Sequence, residues 1–122
     1  MQSLDFTILY VADVSRSVEF YTTFLERPPI EQSPTFAMFG FANGVMFGLW
    51  QKDGVVPSVT AKAGGSEHAF VVGDKDEVNA HHRRWVRLGH EIGQPPQELD
   101  FGYSAVLLDP DGHRIRVMKP GG

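Results

Sequence analysis

Hydrophobic positions recur along this chain with two alternating periods, and the change of period marks the elements. Residues 6–25, FTILYVADVSRSVEFYTTFL, begin with a strand pattern over Phe6 to Val11. At Asp13 they pass into a helical pattern, in which Val14, Val18, Tyr21 and Leu25 recur every three or four residues and Asp13 or Ser15 can cap the start. The same pattern returns half a chain later: EHAFVVGDKDEV places Glu67 to Val72 in a strand, aligns Val72 with Val11 and Asp74 with Asp13, and again turns into a helix. Each copy is followed by two short apolar runs around a Gly turn, Phe36 to Phe41 with Val45 to Trp50, and Tyr103 to Leu108 with His113 to Met118. The chain therefore reads as one α+β domain built from two β-α-β-β units, with a possible extra strand in each. The units span approximately residues 1–55 and 64–122, with a Gly- and Pro-containing linker over 52–66.

Turn residues set the expected boundaries. Pro28 and Pro29 end the first helix, and a loop runs to Thr35. Asn43-Gly44 predicts a two-residue hairpin turn, which would set Phe41 opposite Met46, Phe39 opposite Gly48 and Ala37 opposite Trp50. The second helix, Asp76 to about Leu88, carries Val78, His82 and Trp85 on one stripe and is capped by Gly89. Residues 93–100, rich in Pro and Gln, read as a loop; Asp109, Pro110, Asp111 and Gly112 form the last turn, and the closing KPGG is a tail.

Composition narrows the function classes. With 42% hydrophobic and 21% charged residues the chain is neither disordered nor a membrane protein. A formal charge of -4 argues against nucleic-acid binding, and the one basic cluster, Arg83, Arg84 and Arg87, reads as a solvated helix face. The absence of cysteine excludes disulfides, thiol catalysis and cysteine-ligated zinc. There is no charged amino-terminal segment leading into an apolar run and no 18-residue apolar stretch, which together predict a cytoplasmic protein. Four of the five histidines, His81 and His82 beside arginines, His90 beside a Gly and His113 after the DPDG turn, form no nucleophilic or metal-binding pattern, and alternation turns His68 to the other face of its strand from Glu67.

Three stretches carry a resemblance. VADVSRSVEFYTTFL, HAFVVGDKDEV and DPDGHRIRV together resemble the vicinal oxygen chelate superfamily, which contains glyoxalases, extradiol dioxygenases and bleomycin-resistance proteins. The spacing of ILYVADVSRS, the PTFAMFGFANGVMFGLW hairpin and DPDGHRIRV is most similar to the phenazine-antibiotic resistance proteins, which bind a planar aromatic drug without breaking it. The resemblance implies two curved mixed-sheet cups and a homodimer. It also implies four positions where the enzymes hold a divalent metal, and these fall on Phe6, Gly48, Glu67 and Arg116. Phe6 and Gly48 offer no ligand atom, Arg116 is a permanent cation, and Glu67 alone does not hold an ion against water. No metal and no cofactor are expected.

Fixing those positions assigns the sheet faces by alternation. One face, Leu9, Val11, Phe47, Leu49, Phe70, Val72, Val106, Leu108, Ile115 and Val117, would be core beneath the helices. The other carries the expected ligand-binding residues, Phe6, Tyr10, Phe39, Met46, Gly48, Trp50, Glu67, Tyr103, Arg114 and Arg116, and on the same side Ala37, Phe41, Ala105 and Leu107. Gly48 is expected to leave space beside Trp50 and Phe39, and Glu67 is expected to pair with Arg116. The function this implies is non-catalytic binding and sequestration of a hydrophobic, planar aromatic small molecule; a metal-dependent lyase or dioxygenase is the alternative. Any one of these aromatics serves equally well to fill a curved sheet or a dimer seam, whereas the set, with Gly48 beside Trp50 and Phe39, favours a ligand cavity.

Overall fold

The computed structural model describes residues 2–121. The chain divides into two compact units, Met1–Ala61 and Lys62–Gly122. In the first, β1 (Phe6–Val11), α1 (Val14–Leu25), β2 (Glu31–Gln32), β3 (Phe36–Gly40) and β4 (Met46–Gln51) form a four-stranded sheet of order β1-β4-β3-β2 with one helix. In the second, β5 (Glu67–Val71), α2 (Lys75–Arg87), β6 (Ile92–Leu99), β7 (Gly102–Leu108) and β8 (Arg114–Pro120) repeat the order as β5-β8-β7-β6. In both sheets the strand before the helix pairs in parallel with the last strand, and the remaining pairs are antiparallel. Each unit is thus β-α-β-β-β, the extra strand being β2 and β6.

The two equivalent aspartates start the two helices. The Asp13 carboxylate accepts the Arg16 N–H at 3.3 Å, and that of Asp74 accepts the Glu77 N–H at 2.8 Å, satisfying donors that have no partner within a helix. Helix α1 stops before the prolines expected to end it. Glu26 adopts a left-handed conformation (φ 56°), and the Arg27 N–H donates back to the Thr22 carbonyl. Helix α2 ends at Arg87, and Gly89 follows it with positive φ (75°), the Gly89 and His90 N–H groups donating to the Val86 and Trp85 carbonyls. Gln51 ties the first strand–helix corner: its amide donates to the Ala12 carbonyl and accepts from the Val14 N–H.

Residues 93–100 form most of β6 rather than a loop. Pro95 and Pro96 sit where its pairing with β7 is interrupted, between Gln94 and Gln97, and β6 is an edge strand, so their missing N–H groups break no interior ladder. Lys119 and Pro120 belong to β8, paired with Tyr103 and Gly102, so the first two residues of the expected tail are strand; Gly122 lies outside the described residues.

Both hairpins depart from the expected register for one reason. Phe41 and Val45 close a three-residue loop, Ala42-Asn43-Gly44, with the Phe41 N–H on the Val45 carbonyl and the Gly44 N–H on the Phe41 carbonyl, both 3.0 Å. Asp109 and His113 close Pro110-Asp111-Gly112 with the same two bonds at the same distances. The third loop residue takes positive φ, 89° at Gly44 and 91° at Gly112, which glycine adopts without a Cβ clash. Compared with a two-residue turn, the extra loop residue slips β3 and β7 by one position and turns every side chain on them to the other face. Ala37 and Phe39 consequently lie with Leu9, Val11, Phe47 and Leu49 in the core, all at most 5% exposed, where Tyr21 of α1 meets Phe47 at 5.0 Å. Phe41 meets Phe47 at 6.4 Å, on the same side. In the second unit Ala105 and Leu107 join Ile115 and Val117 beneath the helix, while Val106 and Leu108, expected on that side, take the opposite face, where Val106 is nonetheless buried as expected, at 3% exposure.

Among the described residues no helix is long and apolar enough to cross a membrane.

Candidate functional site

On the first sheet, the face away from α1 is aromatic. Pairing of β1 with β4 sets Phe6 beside Met46, Ile8 beside Gly48 and Tyr10 beside Trp50; pairing of β4 with β3 adds Gly40, Met38 and Phe36 to those three rows. Phe6, Ile8 and Tyr10 remain 39%, 40% and 41% exposed, unusual for large apolar side chains on a strand. The rings contact one another in sequence, Tyr10 to Trp50 at 6.4 Å, Trp50 to Phe36 at 6.5 Å, and Phe36 to Phe6 at 6.3 Å, each tilted or edge-on. Five of the expected residues, Phe6, Tyr10, Met46, Gly48 and Trp50, therefore share this face.

Phe39 does not share it. The register places its ring in the core against Phe47, 6.3 Å away, and 0% exposed. Phe36 and Met38 hold the place on β3 assigned to it. The expected space at Gly48 is also filled: a Cβ there would stand 2.8 Å from Phe6 Cε1 and 3.0 Å from Phe36 Cζ, because both rings lean over the glycine.

On the second sheet, the face away from α2 carries a polar cluster among the apolar side chains of Ala69, Val71, Val106, Leu108 and Met118. Arg116 on β8 donates from Nε to Glu67 Oε2 at 2.6 Å and from Nη2 to Glu67 Oε1 at 3.1 Å, a two-pronged ion pair between β8 and β5. Its Nη1 donates to Ser104 Oγ at 2.8 Å and Gln94 Oε1 at 3.3 Å, and its guanidinium lies over the Phe101 ring at 5.4 Å. The hydrogen bonds from Arg116 hold the Glu67 carboxyl below the usual carboxylate range. Partial burial opposes that shift, and the charges of Arg116 and of exposed Arg114, its register partner on β8, add to it. The expected Glu67–Arg116 pair is present.

Tyr103, expected here, lies on the helix side, where its hydroxyl donates to Asn79 of α2 at 2.7 Å and Lys75 sits 5.4 Å from its ring. Ser104, Gln94 and Phe101 are the site residues that alternation misplaced or passed over. The chain carried a signal for them. Proline cannot take the positive φ that a two-residue type I′ turn needs at its first position, so Pro110 favours the three-residue loop that brings Ser104 to this face.

The four positions implied for a metal do not fit one. Phe6 and Gly48 have no donor atom, Glu67 is held by Arg116, and a guanidinium repels a cation. Among the described residues no three His, Asp or Glu side chains gather where they could hold an ion.

Comparison with known proteins agrees with the two-unit architecture. The solution NMR structure of an Agrobacterium tumefaciens protein is 40% identical, each chain covering 100% of the other, with a TM-score of 0.91. A glyoxalase/bleomycin resistance protein/dioxygenase from Nocardioides, 24% identical over 100% of this chain and 87% of its own, shares the fold at a TM-score of 0.83. The phenazine antibiotic resistance protein EhpR of Enterobacter agglomerans is 27% identical over 113 residues, 90% of this chain and 86% of the relative. Residues 3–117 match the family model itself, and the chain belongs to the glyoxalase/bleomycin resistance protein/dioxygenase superfamily.

Proposed function

We propose that this protein binds and sequesters a hydrophobic, planar aromatic small molecule without altering it. The observation that carries the reading is the face of Phe6, Tyr10, Phe36 and Trp50, whose rings stay accessible instead of being buried under a helix. A flat ligand laid on it gains apolar burial plus about 0.5–1.5 kcal/mol for each well-oriented ring contact. Relatedness to a phenazine antibiotic resistance protein points to the same class of ligand, phenazine being a flat tricyclic aromatic. The four implied metal positions, with one carboxylate already held by arginine, weigh against metal-dependent lyase or dioxygenase chemistry.

The test is titration of phenazine into the purified protein with Trp fluorescence as readout. Saturable quenching is expected, lost in Trp50→Ala and kept in Trp85→Phe, since Trp85 is 1% exposed in the core of the second unit. Mass spectrometry should recover the ligand unchanged. Absence of saturable binding, or turnover that tracks a co-purifying metal, overturns the reading. The same exposed apolar residues support a homodimer, which light scattering at micromolar concentration checks. Cell fractionation checks the cytoplasmic location that the reading assumes.

A further inference from the structure

We propose that Phe6 and Phe36 form a clasp over Gly48 that opens to admit a single flat ring system, so that the protein selects ligands by thickness; this rests on the aromatic-binding reading above. Strand β4 lies between β1 and β3, and Gly48 is at its middle, flanked in its own row by Ile8 and Met38. Neither of those neighbours gives the nearest contacts above the glycine. Two rings from diagonal rows lean across instead, Phe6 from the Met46 row and Phe36 from the Trp50 row, to 2.8 and 3.0 Å from where a Cβ would stand.

The two rings are 6.3 Å apart between centroids and inclined at 47°, so they do not stack face to face on each other. An aromatic ring sandwiched between two others needs roughly 7 Å between the outer planes. The clasp therefore has to turn its rings parallel and part them to that separation. Phe6 is 39% exposed on an edge strand and has room to turn. Trp50 stands edge-on to Phe36 at 84° and 6.5 Å, bracing it from the other side. With the rings parted, the bare backbone at Gly48 becomes the floor of the slot, a place any Cβ would occupy. The ligand class that fits is a fused planar aromatic one layer thick, without substituents above or below its plane.

If the rings merely cover a glycine in a sheet, ligand shape is irrelevant, and calorimetry separates the two. The probes are acridine and 9,9-dimethyl-9,10-dihydroacridine, which has the same three-ring skeleton with two methyl groups out of plane. They are titrated into the wild-type chain, Gly48→Ala and Phe36→Leu. The wild type should bind acridine at least roughly tenfold more tightly than the dimethyl compound, and both variants should lose acridine affinity by about tenfold or more while still unfolding cooperatively. Equal binding of the two probes by the wild type, which needs no variant to fold, overturns the clasp alone. So does undiminished acridine binding by Gly48→Ala or Phe36→Leu. A wild-type protein that binds neither probe nor phenazine overturns the binding function and the clasp with it.

Discussion

Phe39→Ala and Phe36→Ala, three positions apart on β3, should differ sharply in stability cost, and the direction of the difference tests the register. Phe39 is 0% exposed and packed against Phe47, so its truncation forfeits the whole transfer free energy of the ring. Removing about 100 Å² of buried apolar surface at about 25 cal/mol per Å² costs about 2.5 kcal/mol. The residual cavity adds about 1–2 kcal/mol, giving about 3.5–4.5 kcal/mol in total. Phe36 is half-buried on the helix-free face, over Gly48 and beside the rings of Phe6 and Trp50, so about half the transfer term applies and no closed cavity forms, for about 1–1.5 kcal/mol. Urea denaturation followed by far-UV circular dichroism resolves the two, since a domain of this size has only about 5–15 kcal/mol to lose. Binding should show the opposite order, with Phe36→Ala weakening phenazine and a milder core variant, Phe39→Leu, leaving it unchanged. A Phe36→Ala cost equal to or above that of Phe39→Ala would mean that the hairpin closes with two residues and that the faces of β3 are inverted.

Arg116→Met should destabilise the chain by about 1–3 kcal/mol, more than Glu67→Gln, because it strands a partly buried carboxylate and removes the donor to fully buried Ser104. The Glu67 contribution is present above its unfolded pKa and disappears as pH falls through its depressed folded pKa, so the wild type and Glu67→Gln should converge in acid; a constant gap at all pH values counts against the pair. Tyr103→Phe should cost about 0.5–1.5 kcal/mol through the lost bond to Asn79 and leave ligand affinity unchanged, whereas weakened affinity would place Tyr103 in the site after all. Burial, with a smaller contribution from His113, holds the His68 imidazole below its ordinary pKa, so the folded state binds its proton less readily than the unfolded chain. Stability should therefore fall as pH drops below the unfolded histidine value, and denaturation midpoints between pH 7.5 and 5.5 should fall less in His68→Gln; equal falls in both proteins would dismiss the effect.

Much of this fold was legible in the order of residues because its signals are local. The change of period after Val11 and after Val72, with Asp13 and Asp74 each placed to cap a helix, needs no knowledge of distant contacts, and the duplicated architecture follows from it. The Glu67–Arg116 pair was reached by a longer path, through the positions that the family resemblance implies and the opposite charges found there. Pro110 already favours the longer loop before β8, but only the tertiary structure decided which side chains of β3 reach the helix-free face, because a strand alternates with period two and one extra loop residue exchanges both faces at once. Asn43-Gly44 is compatible with a two- or a three-residue loop when read alone. What selects the longer loop is the fit of Ala37 and Phe39 beneath α1, a packing preference set by residues remote in the chain. The glycine at position 48 shows the same limit: its lack of a side chain is plain in the sequence, but only the leaning of Phe6 and Phe36 across neighbouring strands determines what fills the space above it.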